Sequence, residues 1–496
     1  MTLGGIHPED ISQARFYMDK ELFMNIFSRD FCVSLQKLFF LAALFCGSLI
    51  SVVVNNFVDP LPVYTVRGSQ MSLLNKKRDD EKTPYFSFNI SPYTQIIKAC
   101  YDSSTAETVR LGDRLGTWGM GAMARDLIAN YASDRDPADF VPVYGDHTDF
   151  PVFWNRAKNH RVDLNAIRFT NKKDLCYSVD FEYEKVGLRS EICFEPADGI
   201  VVSLQGGIMD HKASDPKFYN PATGSEYIES ADTQGTNNIL RDFMWNFERE
   251  RLLEEFGMHA RGYQEIGLDD ITMQAGFYYP LDFSGKNDEF VTLIPRVNLG
   301  ITVPGEKIWE NKVLATEKDS VLKILLPRGN DGFTAFFVET AACLDFKNTI
   351  NMTLSGGYTL FRSRSRTDLR VPNNEFQNVL YPFKPPVSHK RGGIWNVTAS
   401  MFADGFIQNL KCYVDYSWIV KRQDTIAVTD ADFAIVFEKG CQTLARNSEF
   451  RVGVGHLGLV YEMTNNLQAG ASLQVVLHGT QVYSPYTFTG TLTLLF

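Results

Sequence analysis

From residue 175 to the end of the chain, apolar residues recur at every second position in runs of about ten residues, the period of a β-strand with two unlike faces. In the closing run Tyr486, Phe488, Gly490, Leu492, Leu494 and Phe496 share one face, and Thr487, Thr489, Thr491 and Thr493 share the other. Leu467, Ala469, Ala471, Leu473, Val475 and Leu477 alternate in the same way with Gln468, Ser472, Gln474 and His478. The theme repeats upstream at 410–420, 395–401, 350–360, 291–302, 271–281 and 175–184. Two segments break it, 333–344 and 450–461. In the second, the apolar parity changes near Gly455 and His456, as a β-bulge would make it.

Alternation alone also fits a soluble sandwich, so run length has to separate the two folds. Sandwich strands centre on about five or six residues, whereas a tilted strand crossing a bilayer needs about nine to eleven. These runs are of the longer kind. The connections add a second criterion, because outer-membrane barrels have short turns at one end and long loops at the other. Short turns fall at 464–466, 404–405, 345–348, 282–288 and 195–199, and long polar loops at 421–448, 362–392, 304–331 and 210–269. Connections near 479–485 and 184–186 are short exceptions. The expectation is an all-β, antiparallel transmembrane barrel of about twelve strands, within a range of roughly ten to fourteen. A hydrophobic content of 44% and a mean hydropathy of -0.16 allow this, because only alternate residues of such a wall meet lipid.

The segment 38–54 is almost uninterruptedly apolar, follows Arg29 and Lys37, and reads as a secretory leader, with Met24 as an alternative start. The rival reading is an uncleaved anchor that only just spans a bilayer. No second apolar helical span follows. Residues 1–54 are thus expected to be the leader, 55–173 a periplasmic or plug region, and 174–496 the barrel. Within 55–173, residues 83–90 suggest a strand, and 109–132 carry Leu111, Leu115, Trp118, Met123, Leu127, Ile128 and Tyr131 at helical spacing. A second helix is expected at 238–256, ended by Gly257. Of eight cysteines, Cys176 and Cys193 lie diagonally across a predicted hairpin and could pair, although packing roles suit all of them.

The terminal pattern Tyr486, Phe488, Leu492, Leu494 and Phe496 resembles the last strand of bacterial outer-membrane barrels. That resemblance implies an outer-membrane location, lipid as a neighbour and recognition by the barrel-assembly machinery. Asn220, Pro221 and Ala222 resemble a motif that outer-membrane fatty-acid transporters carry near their N-terminus.

If the apolar face meets lipid, the polar face lines the interior. The residues expected there are Asp180, Glu182, Glu184, Arg189, Glu191, Gln274, Arg296, Asn298, Lys411, Asp415, Gln474 and His478. Their acidic cluster would attract cations or pair with Arg189. A net charge of -10 and the lack of a basic stretch argue against a nucleic-acid partner. No Walker loop, metal-ligand spacing or triad motif is present, so no metal, cofactor or enzymatic activity is expected. Three functions fit: a porin-like channel for small solutes, a plugged transporter of hydrophobic compounds like the fatty-acid transporters, and a structural or adhesive barrel. The porin-like channel is the expectation carried forward.

Overall fold

Each long alternating run pairs with the next one along the chain, and the last pairs with the first. The computed structural model describes residues 86–102, 107–114, 118–119, 176–219, 253, 258–283, 291–305, 319–322, 332–346, 350–372 and 384–496. Its wall consists of β1 (Phe86–Tyr101), β2 (Tyr183–Ala197), β3 (Ile200–Ala213), β4 (Ile271–Tyr278), β5 (Val291–Val303) and β6 (Ala335–Phe346), followed by six more strands. These are β7 (Ile350–Phe361), β8 (Ile394–Ile407), β9 (Leu410–Lys421), β10 (Phe450–Thr464), β11 (Leu467–Thr480) and β12 (Tyr483–Leu495). All neighbours are antiparallel and sequential, and β12 closes on β1, making a twelve-stranded barrel. The seam runs from Ser87 opposite Leu495 to Cys100 opposite Tyr483. It is finished by reciprocal backbone bonds, Phe86 N to Phe496 O at 3.1 Å and Phe496 N to Phe86 O at 2.8 Å.

Side-chain parity follows from the pleat. The outward positions include Leu188, Ile192, Leu204, Ile208, Leu299, Leu457, Leu459 and Leu492, whose exposure runs from 37% at Ile192 to 59% at Leu299. So wide an apolar belt is costly in water and favourable against hydrocarbon. Exposed aromatic rings lie towards its two edges: Phe194, Phe277, Tyr461 and Phe496 near the short turns, and Phe336, Tyr416, Trp418 and Tyr486 towards the other end. The short-turn end includes Gly199 and Asn409, which supply the left-handed backbone (φ +78° and +62°) of their hairpins.

Strand β3 has two partners beyond β2. Residues Tyr263–Leu268 pair with its upper half and β4 with its lower half. Asp269 and Asp270 interrupt the ladder between them, yet Asp269 N still reaches Gly207 O at 2.9 Å. Part of the segment expected to be loop, 210–269, is therefore wall.

Two expectations about the wall need correction. The barrel begins at Phe86, not at residue 174, so one strand lies inside the region assigned to a plug. Conversely, the alternating segment 176–182 is not a wall strand. Cys176–Asp180 pairs with Trp118–Gly119 and Lys217–Tyr219. Its apolar face meets a small core of its own, where Tyr177 and Trp118 each stand edge-on to Phe218 at 6.2 and 5.8 Å. Leu111, Val179 and Phe181 are buried with them. Alternation reports two unlike faces, not which medium the apolar one touches. One strand lost and one gained leave the count at twelve.

Within 109–132, the described residues form short strands at Thr108–Arg110 and Trp118–Gly119 and a single 3-10 turn at Leu111–Asp113 in place of the expected helix start. The leader, residues 220–222 and, save Leu253, the expected helix at 238–256 lie outside the described residues.

A chain starting at residue 174 lacks β1 and would leave β2 and β12 with bare edges. It is expected to show no heat-modifiable electrophoretic band on refolding, whereas a chain starting at residue 84 should; a folded band from the shorter chain would contradict the seam.

Candidate functional site

The inner face is built from every second residue of twelve strands, and it is predominantly polar at mid-height. Arg189, Glu191, Gln274, Asn298, Lys411, Asp415 and Gln474 all point inward and are buried, and Arg296 is inward with 10% of its side chain exposed. Four other residues expected inside are elsewhere. Asp180 sits in the short strand beside the barrel, and Glu182 and Glu184 are exposed. Glu182 pairs with Lys98 at 2.8 Å on the outside. The cause is the medium and not the parity: odd-numbered residues keep the buried side throughout, Tyr177, Val179 and Phe181 in the small core and Tyr183, Lys185, Arg189 and Glu191 of β2 inside the barrel, while Val186, Leu188 and Ile192 face out.

His478 is displaced by a bulge. Val454 pairs with Val476 but Gly453 pairs with His478, so Leu477 is an additional residue in β11 and everything beyond it changes face. His478 is exposed on the outer wall, bonded through Nε2 to Tyr416 Oη at 2.9 Å. Gly453 makes room for it: a Cβ there would stand 2.3 Å from His478 Nε2. The bulge expected near Gly455 and His456 of β10 is thus on its partner. The β9–β10 register is unbroken, and the inward residues simply change from Phe450, Val452 and Val454 to His456 and Gly458.

Charged groups inside the wall are held in compact sets. Lys411 Nζ lies 2.7 Å from Asp404 and 3.0 Å from Glu462, which also accepts from Gln468 at 2.9 Å. Asp415 bonds His456 Nδ1 at 3.1 Å, and Tyr413 packs on that imidazole with centroids 5.1 Å apart. Arg189 donates through Nε to Asp269 at 2.6 Å and lies over the Tyr93 ring at 5.1 Å. Gly187 is required there, because a Cβ would meet the Tyr93 ring at 2.5 Å. Glu339 receives Arg296 at 3.7 Å and Asn298 at 3.4 Å.

Apolar inward residues bound this polar zone. Towards the long-loop end, Phe333, Ala335, Phe361, Ile394, Ile419, Phe450, Val452, Val454 and Val482 form one cluster on strands β6 to β10 and the adjoining loops. Towards the short-turn end, Cys193, Val201, Tyr278, Ile294, Cys343 and Leu495 form another. Part of the upper cluster falls in the segments that break alternation, Phe333 and Ala335 in 333–344 and Phe450, Val452 and Val454 in 450–461.

Above the upper cluster, Arg364–Arg366, Val387–Lys390 and Thr425–Val428 form a three-stranded sheet. It packs on helix α1 (Ala431–Asn447) through Val371, Val387, Phe437 and Cys441. The segment 421–448, expected to be a polar loop, thus contains a helix, and the spacing of Phe437, Cys441 and Leu444, four and three residues apart, is its signal in the sequence. Asp424 ties this cap to the wall. Its carboxylate accepts from His389 Nε2 at 2.9 Å, Gly392 N at 2.8 Å and the Lys421 ammonium. Burial alone would raise its pKa, but the Lys421 ammonium, the His389 bond and Arg391 outweigh burial and hold it well below the ordinary carboxyl value.

Among the described residues no three His, Cys, Asp or Glu side chains are placed to hold a metal ion, and Cys100, Cys193, Cys343, Cys412 and Cys441 are free thiols. A closed wall with an apolar belt, aromatic edges, a polar inner face and connections mostly short at one end and mostly long at the other is the architecture of a bacterial outer-membrane β-barrel.

No family model matches the chain, and no curated protein matches it. Among solved structures it is similar to an outer-membrane channel from Pseudomonas putida F1, at 8% identity over 84% of this chain and 97% of that one, with a TM-score of 0.42. It is similar also to the NanC porin (8% identity, 62% and 93% covered, TM-score 0.29). The translocator domain of the autotransporter NalP from Neisseria meningitidis is a third (7% identity, 90% and 100% covered, TM-score 0.29).

Replacing Lys411 by Met leaves Asp404 and Glu462 facing each other without their cation. Both acids keep some solvent contact, so the expected loss is about 2 kcal/mol, read as a lower urea midpoint; an unchanged midpoint would show that the cluster is solvated.

Asp424 gives a pH prediction. A carboxyl with a lowered folded pKa contributes stability that is present above its unfolded value, near 3.8, and is lost as the pH falls through the folded value. The cap should therefore keep its amide protection factors at pH 5. Asp424→Asn should lower protection in 425–447 already at neutral pH, and equal protection in the two proteins would remove Asp424 from this role.

Proposed function

We propose that the chain is an outer-membrane channel that passes small solutes along the polar inner face of its barrel and is narrow or closed at rest. The observation that supports this most is the division of the wall itself, apolar where it faces out and polar over the middle of the inside. Porin-like conduction needs such a face, because a solute shedding water must find replacement partners. The solute class suggested is small and polar, as Gln95, Gln205, Gln274, Asn298, Asn396 and Gln474 present amides beside charges of both signs. The proposal includes no catalytic step.

Closure at rest is supported by two features. Inner polar side chains are deeply buried, with Gln95, Thr302 and Thr359 at 0% exposure. The upper apolar cluster also gives a passing ion or solute no polar partners at that level, and hydrophobic constrictions of this kind gate by dewetting. The same burial favours a second reading, a structural barrel whose interior is a permanent salt-bridged core and whose function lies in its loops.

Planar-bilayer recording separates these readings. The channel reading expects small or infrequent openings from the intact protein. It expects an increase of several-fold when Val452 and Val454 are changed together to Ser, which hydrates the upper cluster. Silence from both proteins, each with a heat-modifiable folded band, would favour the structural barrel. Large steady conductance unaffected by the substitutions would mean that the cluster does not close the path.

A further inference from the structure

The outer edge of the wall at the long-loop end is not uniform in charge. Across β7 to β10 it carries three exposed arginines. Arg362 and Arg422 each follow a buried inward residue, Phe361 and Lys421. Each also continues the ladder, Arg362 N bonding Thr334 O at 3.0 Å and Arg422 N bonding Gly393 O at 2.9 Å. Both side chains therefore point outward. Arg451, second in β10, is exposed with its side chain at 59%. Its carboxylate neighbour is Glu449 at 3.5 Å, itself 44% exposed, so of these four charges three are positive and the patch keeps a formal excess of two. Adjacent strands lie about 4.8 Å apart, so the three guanidinium groups span roughly 10 to 15 Å of rim.

Immediately below them is an aromatic shelf. Arg422 stands over the Trp395 ring at 5.8 Å, and Trp395 packs on Tyr358 with centroids 4.4 Å apart. On the next strands Trp418 lies 5.2 Å from His478, which the β11 bulge has turned outward to bond Tyr416. Across β1 to β3 the same rim is different: Lys98 pairs with Glu182, and Glu184 stands opposite Lys212. There the signs cancel.

We infer that the rim over β7 to β11 is a binding surface for a phosphate-bearing lipid headgroup of the leaflet at the long-loop end. Guanidinium groups bind phosphate oxygens in bidentate fashion, and Trp and Tyr rings settle at headgroup depth, so the two rows match the two parts of one anionic lipid. The positive excess on one arc selects the lipid's position around the barrel. The inference rests on the wall being inserted in an outer membrane, as proposed above.

The test is native mass spectrometry of the full chain released from detergent micelles containing lipid A, its dephosphorylated analogue, or neither. Wild type should retain lipid A and release the analogue. Each Arg→Gln change at 362, 422 and 451 should weaken retention about fivefold, and the triple variant about a hundredfold. Lys98→Gln with Lys212→Gln on the opposite arc should leave it unchanged. Equal retention by the triple variant, equal retention of the dephosphorylated lipid, or displacement by inorganic phosphate would each overturn the assignment. Should the triple variant fail to give a heat-modifiable band, the three single variants carry the same test. Loss of that band in wild type would instead remove the membrane reading on which the inference rests.

Discussion

Hydrocarbon offers no hydrogen-bond partner to a peptide group, and this one condition governs the rest of the molecule. A sheet meets it only by having no edge. Here the burden falls on the β1–β12 seam, where Phe86 and Phe496 exchange backbone bonds and ten residue pairs, the first Ser87–Leu495 and the last Cys100–Tyr483, are matched across it. Once the ring is closed, the pleat assigns every wall residue to lipid or to the interior. The belt of Leu, Ile, Val and Phe outside and the amides and charges inside are consequences of closure, not separate features.

The interior shows what that division leaves to be settled. Charges withdrawn from water need partners, and Lys411, Arg189, Arg296 and Asp415 each have one within about 4 Å or less. The apolar clusters above and below have the opposite character: they exclude water instead of organising it. Together they make an inside whose polar middle could accept a small solute and whose ends resist one. The cap built from the 364–366, 387–390 and 425–428 strands and α1 rests on the upper cluster, with the buried Asp424 network at their junction.

Much of this was legible in the residue pattern because a two-residue period is a property of the strand alone. The runs ending at Phe496, Leu477 and Val420 locate β12, β11 and β9 directly, and the short and long connections give the ends of the barrel. What the pattern could not express was the identity of the medium on each side. Segment 176–182 alternates because it faces a small core of Trp118 and Phe218, and so it mimics a lipid-facing strand. In β10, Val452 and Val454 are apolar although they face inward, and so mimic a bulge. The actual bulge, at Leu477, leaves no mark on composition, yet it alone moves His478 outside. Strand β1 was obscured for a similar reason: inward Ser87, Asn89, Ser91 and Gln95 alternate clearly, but Tyr93 and Ile97 also face in and Pro92 faces out, which blurs the period.

The two-faced wall is tested most directly by single nitroxide labels placed in turn at positions 457 to 461 of β10 in the lipid-reconstituted protein, with oxygen and a water-soluble nickel chelate as relaxants. High oxygen access at 457, 459 and 461, with low access to both agents at 458 and 460, is the result expected of a strand between hydrocarbon and a packed interior. Uniform access along the strand, or nickel access at 457, 459 and 461, would show that the apolar belt does not face lipid and would contradict the barrel's place in a membrane.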